Sequence, residues 1–87
     1  MIYGLYSIRD VKTGFMTPVM EANDAAATRN FYHSVANSEG ILFTFAQDFT
    51  LYRIADFNAE TAQVTPLVPI VQVASGSDAL TVLGKDA

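Results

Sequence analysis

One helix signal, set between segments that read as strands, most constrains how this chain can fold. Asn23 is a strong helix cap, and Asp24 places a negative charge where the helix dipole favours it. Alanines follow, and apolar residues then repeat every four positions: Ala27, Phe31 and Val35. The pattern predicts a single helix that ends near Asn37 and packs this apolar stripe against a sheet.

The segments on either side of the helix predict strands. Residues 2–9 are rich in β-branched and aromatic types, and alternation places Tyr6 on one side and Arg9 on the other. A turn leads to a second strand over residues 15–21, in which Pro18 requires an edge position or a bulge. Residues 41–46 form a short apolar run that is either a strand or a loop filling the core.

The second half of the chain predicts a hairpin formed by residues 51–73. Pro66 and Pro69 assign its second strand to a sheet edge. In its first strand, alternation groups four residues on one side: Leu51, Arg53, Ala55 and Phe57. We therefore expect an α+β fold, a small antiparallel sheet in the order β-β-α-(β)-β-β with one helix packed on one face.

Size and composition bound the organisation of the chain. The 87 residues predict one domain over residues 1–74 and a C-terminal tail over residues 75–87, either mobile or docked as a short strand. An apolar domain of this size that contains no cysteine is marginally stable alone, which favours a homodimer or higher oligomer. No apolar run approaches the roughly 20 residues of a membrane span, so we expect no membrane association.

Catalytic, metal and cofactor signatures are not found in the sequence. One histidine and no cysteine argue against an ordinary metal site, and no glycine-rich phosphate loop occurs. Asp48 and Asp56 have no positioned partner for acid–base chemistry, and His33 and Ser34 do not face each other on a helix. We expect a protein that is not an enzyme and that uses no cofactor or metal.

Seven residues are candidates for binding single-stranded nucleic acid, which proteins hold with aromatic faces and cations. They are Arg9, Lys12, Arg29, Arg53, Tyr3, Tyr6 and Tyr52. A small cationic patch forms if the strands that carry Arg9 and Arg53 are neighbours. The alternative is structural: the tyrosines are partly buried, and Arg29 pairs with Asp10 or Asp56. Phe15 and Phe31 are expected in the core.

Three sequence blocks, taken in order, carry a resemblance to a known family. Residues 6–10 read Tyr-Ser-Ile-Arg-Asp, and Lys-Thr-Gly-Phe and Pro18 follow. Residues 23–31 read Asn-Asp-Ala-x-Ala-x-Arg-x-Phe, and residues 48–57 read Asp-Phe-x-Leu-Tyr-Arg-Ile-x-x-Phe. Over roughly residues 3–69 the chain resembles the small non-structural protein of gokushovirus-type microviruses, which are single-stranded DNA bacteriophages.

The resemblance implies a DNA-binding, non-capsid protein made in the cytoplasm of the bacterial host. Such a protein would assist the switch from duplex replication to single-strand genome synthesis and packaging. The family pattern contains no catalytic residues. The chain has Ala55 where the family often has glycine, and its net charge of −4 opposes strong binding to DNA. The alternative is an adaptor that holds phage replication or capsid proteins through an apolar sheet face or the proline-rich edge, without contacting DNA.

Overall fold

A computed structural model of the chain describes residues 1–84, which form one antiparallel sheet and three α-helices. A short 3₁₀ helix over residues 46–48 follows the second α-helix. The elements in chain order are β1 (Ile2–Asp10), β2 (Gly14–Phe15), β3 (Val19–Glu21), α1 (Asp24–Ala36), α2 (Ile41–Thr44), β4 (Phe49–Asn58), β5 (Val64–Ser75) and α3 (Gly76–Val82).

The sheet is built around β1. This strand pairs with β2 and β3 along one side and with β4 along the other, and β5 pairs with the far side of β4. All these pairings are antiparallel, and α1 packs on one face of the sheet. The predicted α+β fold and the hairpin now seen as β4 and β5 are confirmed. We call the face under α1 the covered face and the opposite one the open face.

The helix α1 forms as its sequence predicts. The side-chain oxygen of Asn23 accepts a hydrogen bond from the Ala26 amide at 2.8 Å, which satisfies one of the free donors of the first turn. The predicted stripe faces the sheet: Ala27, Phe31 and Val35 are 3%, 4% and 0% exposed. Phe31 and Val35 join Leu51 in the core between helix and sheet.

Two of the expected strands differ from the structure. The second strand is divided into β2 and β3 by the segment that contains Pro18. The optional strand over residues 41–46 is wrong, because this segment forms α2 and begins the 3₁₀ helix. A run of apolar residues fits a buried strand and a short helix equally well, and here tertiary packing selects the helix.

The C-terminal segment is helical over residues 76–82, so neither a mobile tail nor a docked strand describes it. The Ser75 hydroxyl accepts a hydrogen bond from the Asp78 amide at 3.2 Å and caps α3. Ala79 and Leu80 are buried in the core. Gly76 lies so close to the backbone of Ala46 that a Cβ atom there would overlap it. Residues 85–87 of the expected tail lie outside the described residues.

A bulge in β4 changes which side chains lie on each face. Leu5 lies opposite Ala55, whereas the next residue, Tyr6, lies opposite Arg53, so Ile54 is an extra residue in β4. Residues directly opposite each other project from the same face. Arg53 therefore lies with Tyr6 on the covered face, and Ala55 lies on the open face. The prediction that Leu51, Arg53, Ala55 and Phe57 share one face is wrong for this reason.

Candidate nucleic-acid interface

On the covered face, Tyr6 and Arg53 belong to a closed polar network. Tyr6 is 0% exposed, and its hydroxyl donates a 2.6 Å hydrogen bond to Oδ1 of Asp24 at the start of α1. Arg53 Nη1 donates to the same oxygen at 2.8 Å, and its Nη2 lies 2.7 Å from Oδ1 of Asp56. The guanidinium carbon also lies 5.7 Å from the centre of the Tyr6 ring. The network ties the first turn of α1 to β1 and β4.

The ionisation of these groups reflects the same contacts. Burial, followed by the hydrogen bond to Asp24, raises the pKa of Tyr6 to about 12. The hydrogen bond from Tyr6, supported by Arg53, lowers the pKa of Asp24 below its ordinary value. The bond to Asp24 raises the pKa of Arg53. Tyr6 cannot stack on a base in this position, and Arg53 already has two carboxylate partners, so both residues have structural roles.

On the open face, a cation lies beside two aromatic rings. Arg9 is directly opposite Phe15 across β1 and β2, and it is exposed. The rings of Phe15 and Tyr52 meet edge to face, with 5.7 Å between their centroids and 65° between their planes. Phe15 is 51% exposed. We call Arg9, Phe15 and Tyr52 the open-face cluster, because together they present a positive charge and two aromatic surfaces at one end of the sheet.

The turn that follows β1 brings Lys12 to the same end of the sheet. Oδ1 of Asp10 accepts a hydrogen bond from the Lys12 amide at 2.9 Å, and Oδ2 accepts one from the Thr13 hydroxyl at 3.1 Å. Gly14 closes the turn with a φ of 99°, a conformation that favours glycine. These bonds fix the backbone of the turn, so that Lys12 is exposed within three residues of Arg9.

Tyr3 and Arg29 lie away from the open-face cluster. Tyr3 is on the open face opposite Phe57, but six residues of strand, about 20 Å, separate it from Arg9. Arg29 is exposed on α1, which packs on the covered face, where it borders a cleft of about 550 Å³ with Tyr32. The structure therefore brings Arg9, Lys12 and Tyr52 together and separates them from the other candidates.

The alternative pairing of Arg29 with a carboxylate is not observed. Within residues 1–84 no ion pair of Arg29 occurs, since Asp10 holds the turn after β1 and Asp56 pairs with Arg53. Conversely, the expectation that Phe15 belongs to the core is wrong. Pro18 predicts an edge position for this segment, but an edge position alone does not decide which face Phe15 occupies. The β1–β2 register places it beside Arg9 on the open face.

The described part of the chain contains neither a metal-binding cluster nor a helix that could span a membrane. No group of three or more histidine, cysteine, aspartate or glutamate side chains is arranged to hold a metal ion between residues 1 and 84. Across the same residues, each helix is too short or too polar to cross a membrane.

The fold is a small α+β domain whose open face carries an exposed cation beside two aromatic rings. A family model described as Phage ORF5 protein matches residues 3–79. The chain belongs to this family of phage proteins. No curated protein and no solved structure matches it. The family confirms the phage origin that the sequence blocks imply.

Proposed function

We propose that this phage protein binds single-stranded DNA through the open face of its sheet. It belongs to a gokushovirus-type microvirus and acts in the cytoplasm of the bacterial host. There it assists the switch from duplex replication to single-strand genome synthesis and packaging. It does so as a non-enzymatic protein without a cofactor. The observation that carries the proposal is the open-face cluster, in which Arg9 lies opposite Phe15 and Phe15 contacts Tyr52 edge to face.

The chemistry of the cluster suits unpaired bases. Stacking of a base on an aromatic side chain contributes about 1–3 kcal/mol and requires no particular sequence. Phe15 and Tyr52 offer such surfaces, while Arg9 and Lys12 offer positive charges to phosphates. A duplex hides its base faces, so the aromatic part of the cluster favours a single strand over a duplex.

The small number of cations sets the expected strength. Each phosphate contact to a single strand contributes a slope of about −0.7 to the dependence of log K on log salt concentration. Arg9 and Lys12 together predict a slope of about −1.4 per chain. The net charge of −4 adds repulsion from the rest of the surface, so binding is modest and is strongest at low salt.

The test is a salt titration of binding to a labelled oligothymidine, followed by fluorescence anisotropy. The double variant Arg9→Gln, Lys12→Gln should lose most of the affinity and most of the salt dependence. Arg29→Gln is the matched control, because it removes one exposed cation from the covered side and should leave binding within about twofold. Binding that is absent at low salt, or that Arg29→Gln weakens as much as the double variant, would reject the open-face site.

A protein-interaction adaptor is the second candidate, and an apolar groove favours it. The groove has a volume of about 700 Å³ and lies between α1 and the β2–β3 edge. Ile8, Phe31 and Leu51 line it, and Met16 and Val19 at its border are 43% and 53% exposed. Such a groove suits an apolar segment of a phage replication or capsid protein.

The two candidates are separated by capturing partners from infected cells with and without nuclease. Capture of a phage replication or capsid protein that survives nuclease and is lost in Met16→Glu would support the adaptor. DNA binding would be supported if nuclease abolishes the capture and if the double variant Arg9→Gln, Lys12→Gln also abolishes it.

A further inference from the structure

The strand β5 forms a sheet edge that carries no charged side chain, and its protection against pairing consists of two prolines and a bulge. It pairs with β4 on one side, and no other strand within residues 1–84 pairs with its outer side. Long edge strands commonly carry charged side chains that prevent association with another chain. Here residues 61–77 contain no charged side chain at all, although the whole chain carries a net charge of −4. The edge is thus an uncharged strip on an acidic protein.

The middle of this edge projects apolar side chains into solvent. Arg53 lies opposite Val71 and Ala55 lies opposite Pro66, so residues 67–70 oppose the single residue Ile54 and bulge outward. Val68 is 93% exposed, and Ile70 and Val71 are 37% and 48% exposed. The prolines at 66 and 69 supply no backbone donors, so side-chain packing rather than a long hydrogen-bonded ladder must hold any partner here.

A second copy of this chain fits the strip better than DNA does. Two acidic copies repel each other least where they meet on a surface free of like charges, and residues 61–77 supply one. A two-fold axis brings the same apolar segment of both copies together, so the contact is self-complementary. DNA is a poor occupant because the strip contains no cation to neutralise phosphates.

The β5 edge is long enough to take part in a contact between two chains. Because residues 67–70 bulge, its twelve residues lie beside only Thr50–Phe57 of β4, and the edge extends over roughly 25 Å. A standard interface buries roughly 800 Å² on each partner. The total accessible surface of the described chain is 5331 Å², so such a contact would use a minor fraction of it. A domain of this size gains appreciable stability from burying that apolar surface.

We propose that two copies of this chain associate through the β5 edge, with Val68, Ile70 and Val71 of each copy packed against the same segment of the other. Arg9 and Phe15 of the open-face cluster lie on β1 and β2, with β4 between them and β5, so the contact leaves them accessible; Tyr52 lies on β4, opposite Gln72 of β5. The inference does not depend on DNA binding, and it assigns the expected self-association to a particular surface.

The experiment is sedimentation equilibrium of the whole chain and of three lysine variants. The single chain has a mass of 9.4 kDa, and the wild type should show twice this mass. Val68→Lys and Val71→Lys place like charges near the two-fold axis and should each weaken the dimer about tenfold or more. Val19→Lys is the matched control at the opposite edge, where the valine is 53% exposed, and it should leave the dimer unchanged.

Folding of each variant is verified by circular dichroism, and Val68 is a favourable position because its side chain packs against little of its own chain. A wild type that sediments as a single chain throughout would overturn the proposal. So would a dimer that persists in Val68→Lys and Val71→Lys, or one that dissociates in Val19→Lys.

Discussion

The two faces of the sheet use similar residues for opposite purposes. On the covered face Tyr6 is buried, and Arg53 is held by Asp24 and Asp56 at 2.8 and 2.7 Å. On the open face Tyr52 is only partly buried, and the aromatic neighbour that it contacts, Phe15, is 51% exposed. Tyr6 and Arg53 thus hold α1 on the covered face. Tyr52 and Arg9, the same residue types, are accessible to a ligand on the open face. Residue type alone does not distinguish the two roles.

What separates the faces is the partner of each charge. The guanidinium of Arg53 has lost water and gained two carboxylates, an arrangement in which removing one partner is costly. Arg9 has no carboxylate partner within residues 1–84, so its charge can meet an external phosphate without breaking an internal contact. The difference predicts that variants on the covered face affect stability, whereas variants on the open face affect binding.

The largest contrast is expected between two phenylalanines. Phe31 is 4% exposed under α1, and Phe31→Ala should lower the free energy of unfolding by about 3–5 kcal/mol. Phe15→Ala should cost about 1 kcal/mol or less, because half of its ring is already in water, while it reduces affinity for single-stranded DNA. Urea unfolding and anisotropy measure the two effects. Equal stability losses would contradict the division between the faces.

Alkaline pH should weaken the covered face through Tyr6. Its pKa in the folded protein is raised to about 12, whereas the unfolded chain releases this proton near pH 10. The stabilising contribution is therefore complete below pH 10 and is lost as the pH rises towards 12, on the order of 2 kcal/mol. Tyr6→Phe should remove this part of the pH dependence in urea unfolding, and an unchanged profile would count against the network.

Acid should act on the same network through Asp24. Its pKa is lowered in the folded protein, so its contribution is present above the ordinary aspartate pKa of about 4 and is lost as the pH falls through the folded value. The side chain is 54% exposed, so solvent screening limits the effect to about 1 kcal/mol. Unfolding of Asp24→Asn should differ most from wild type near neutral pH and least in acid. A difference that grows in acid would reverse this assignment.

The smallest effect on stability is expected at Arg9. Arg9→Gln should change the free energy of unfolding by no more than about 0.5 kcal/mol, because the side chain is exposed. The same change should reduce the salt slope of DNA binding by about 0.7. Thermal unfolding and a salt titration on one preparation measure both. A large loss of stability would show that Arg9 supports the fold rather than the open-face cluster.

The sequence predicted elements whose determinants are local. Asn23 caps α1 as expected, because a cap depends on residues within one turn. The stripe Ala27, Phe31 and Val35 faces the sheet because helical spacing alone places it there. The alternation in β1 is likewise observed, with Tyr6 on the covered face and Arg9 on the open one.

The elements that the sequence misassigned depend on contacts between residues that are distant along the chain, and a local sequence pattern carries no information about such contacts. The bulge at Ile54 adds one residue to β4, so Arg53 and Ala55 lie on opposite faces of the sheet. Simple alternation along a regular strand had placed them on the same face. The segment after residue 75 was predicted to be a mobile tail or a docked strand, yet Ser75 caps α3 there and Gly76 packs against the backbone of Ala46, a contact between distant parts of the chain. Within the candidate site, alternation separated Arg9 from Tyr6, but only the β1–β2 register identified Phe15 as the neighbour of Arg9.

Amide chemical shifts recorded during titration with oligothymidine test the central claim most directly. The account predicts that the largest changes occur at Arg9, Lys12, Phe15 and Tyr52, and that residues 25–33 of α1 change little. Changes concentrated on α1 around Arg29, or no saturable change at low salt, would contradict it.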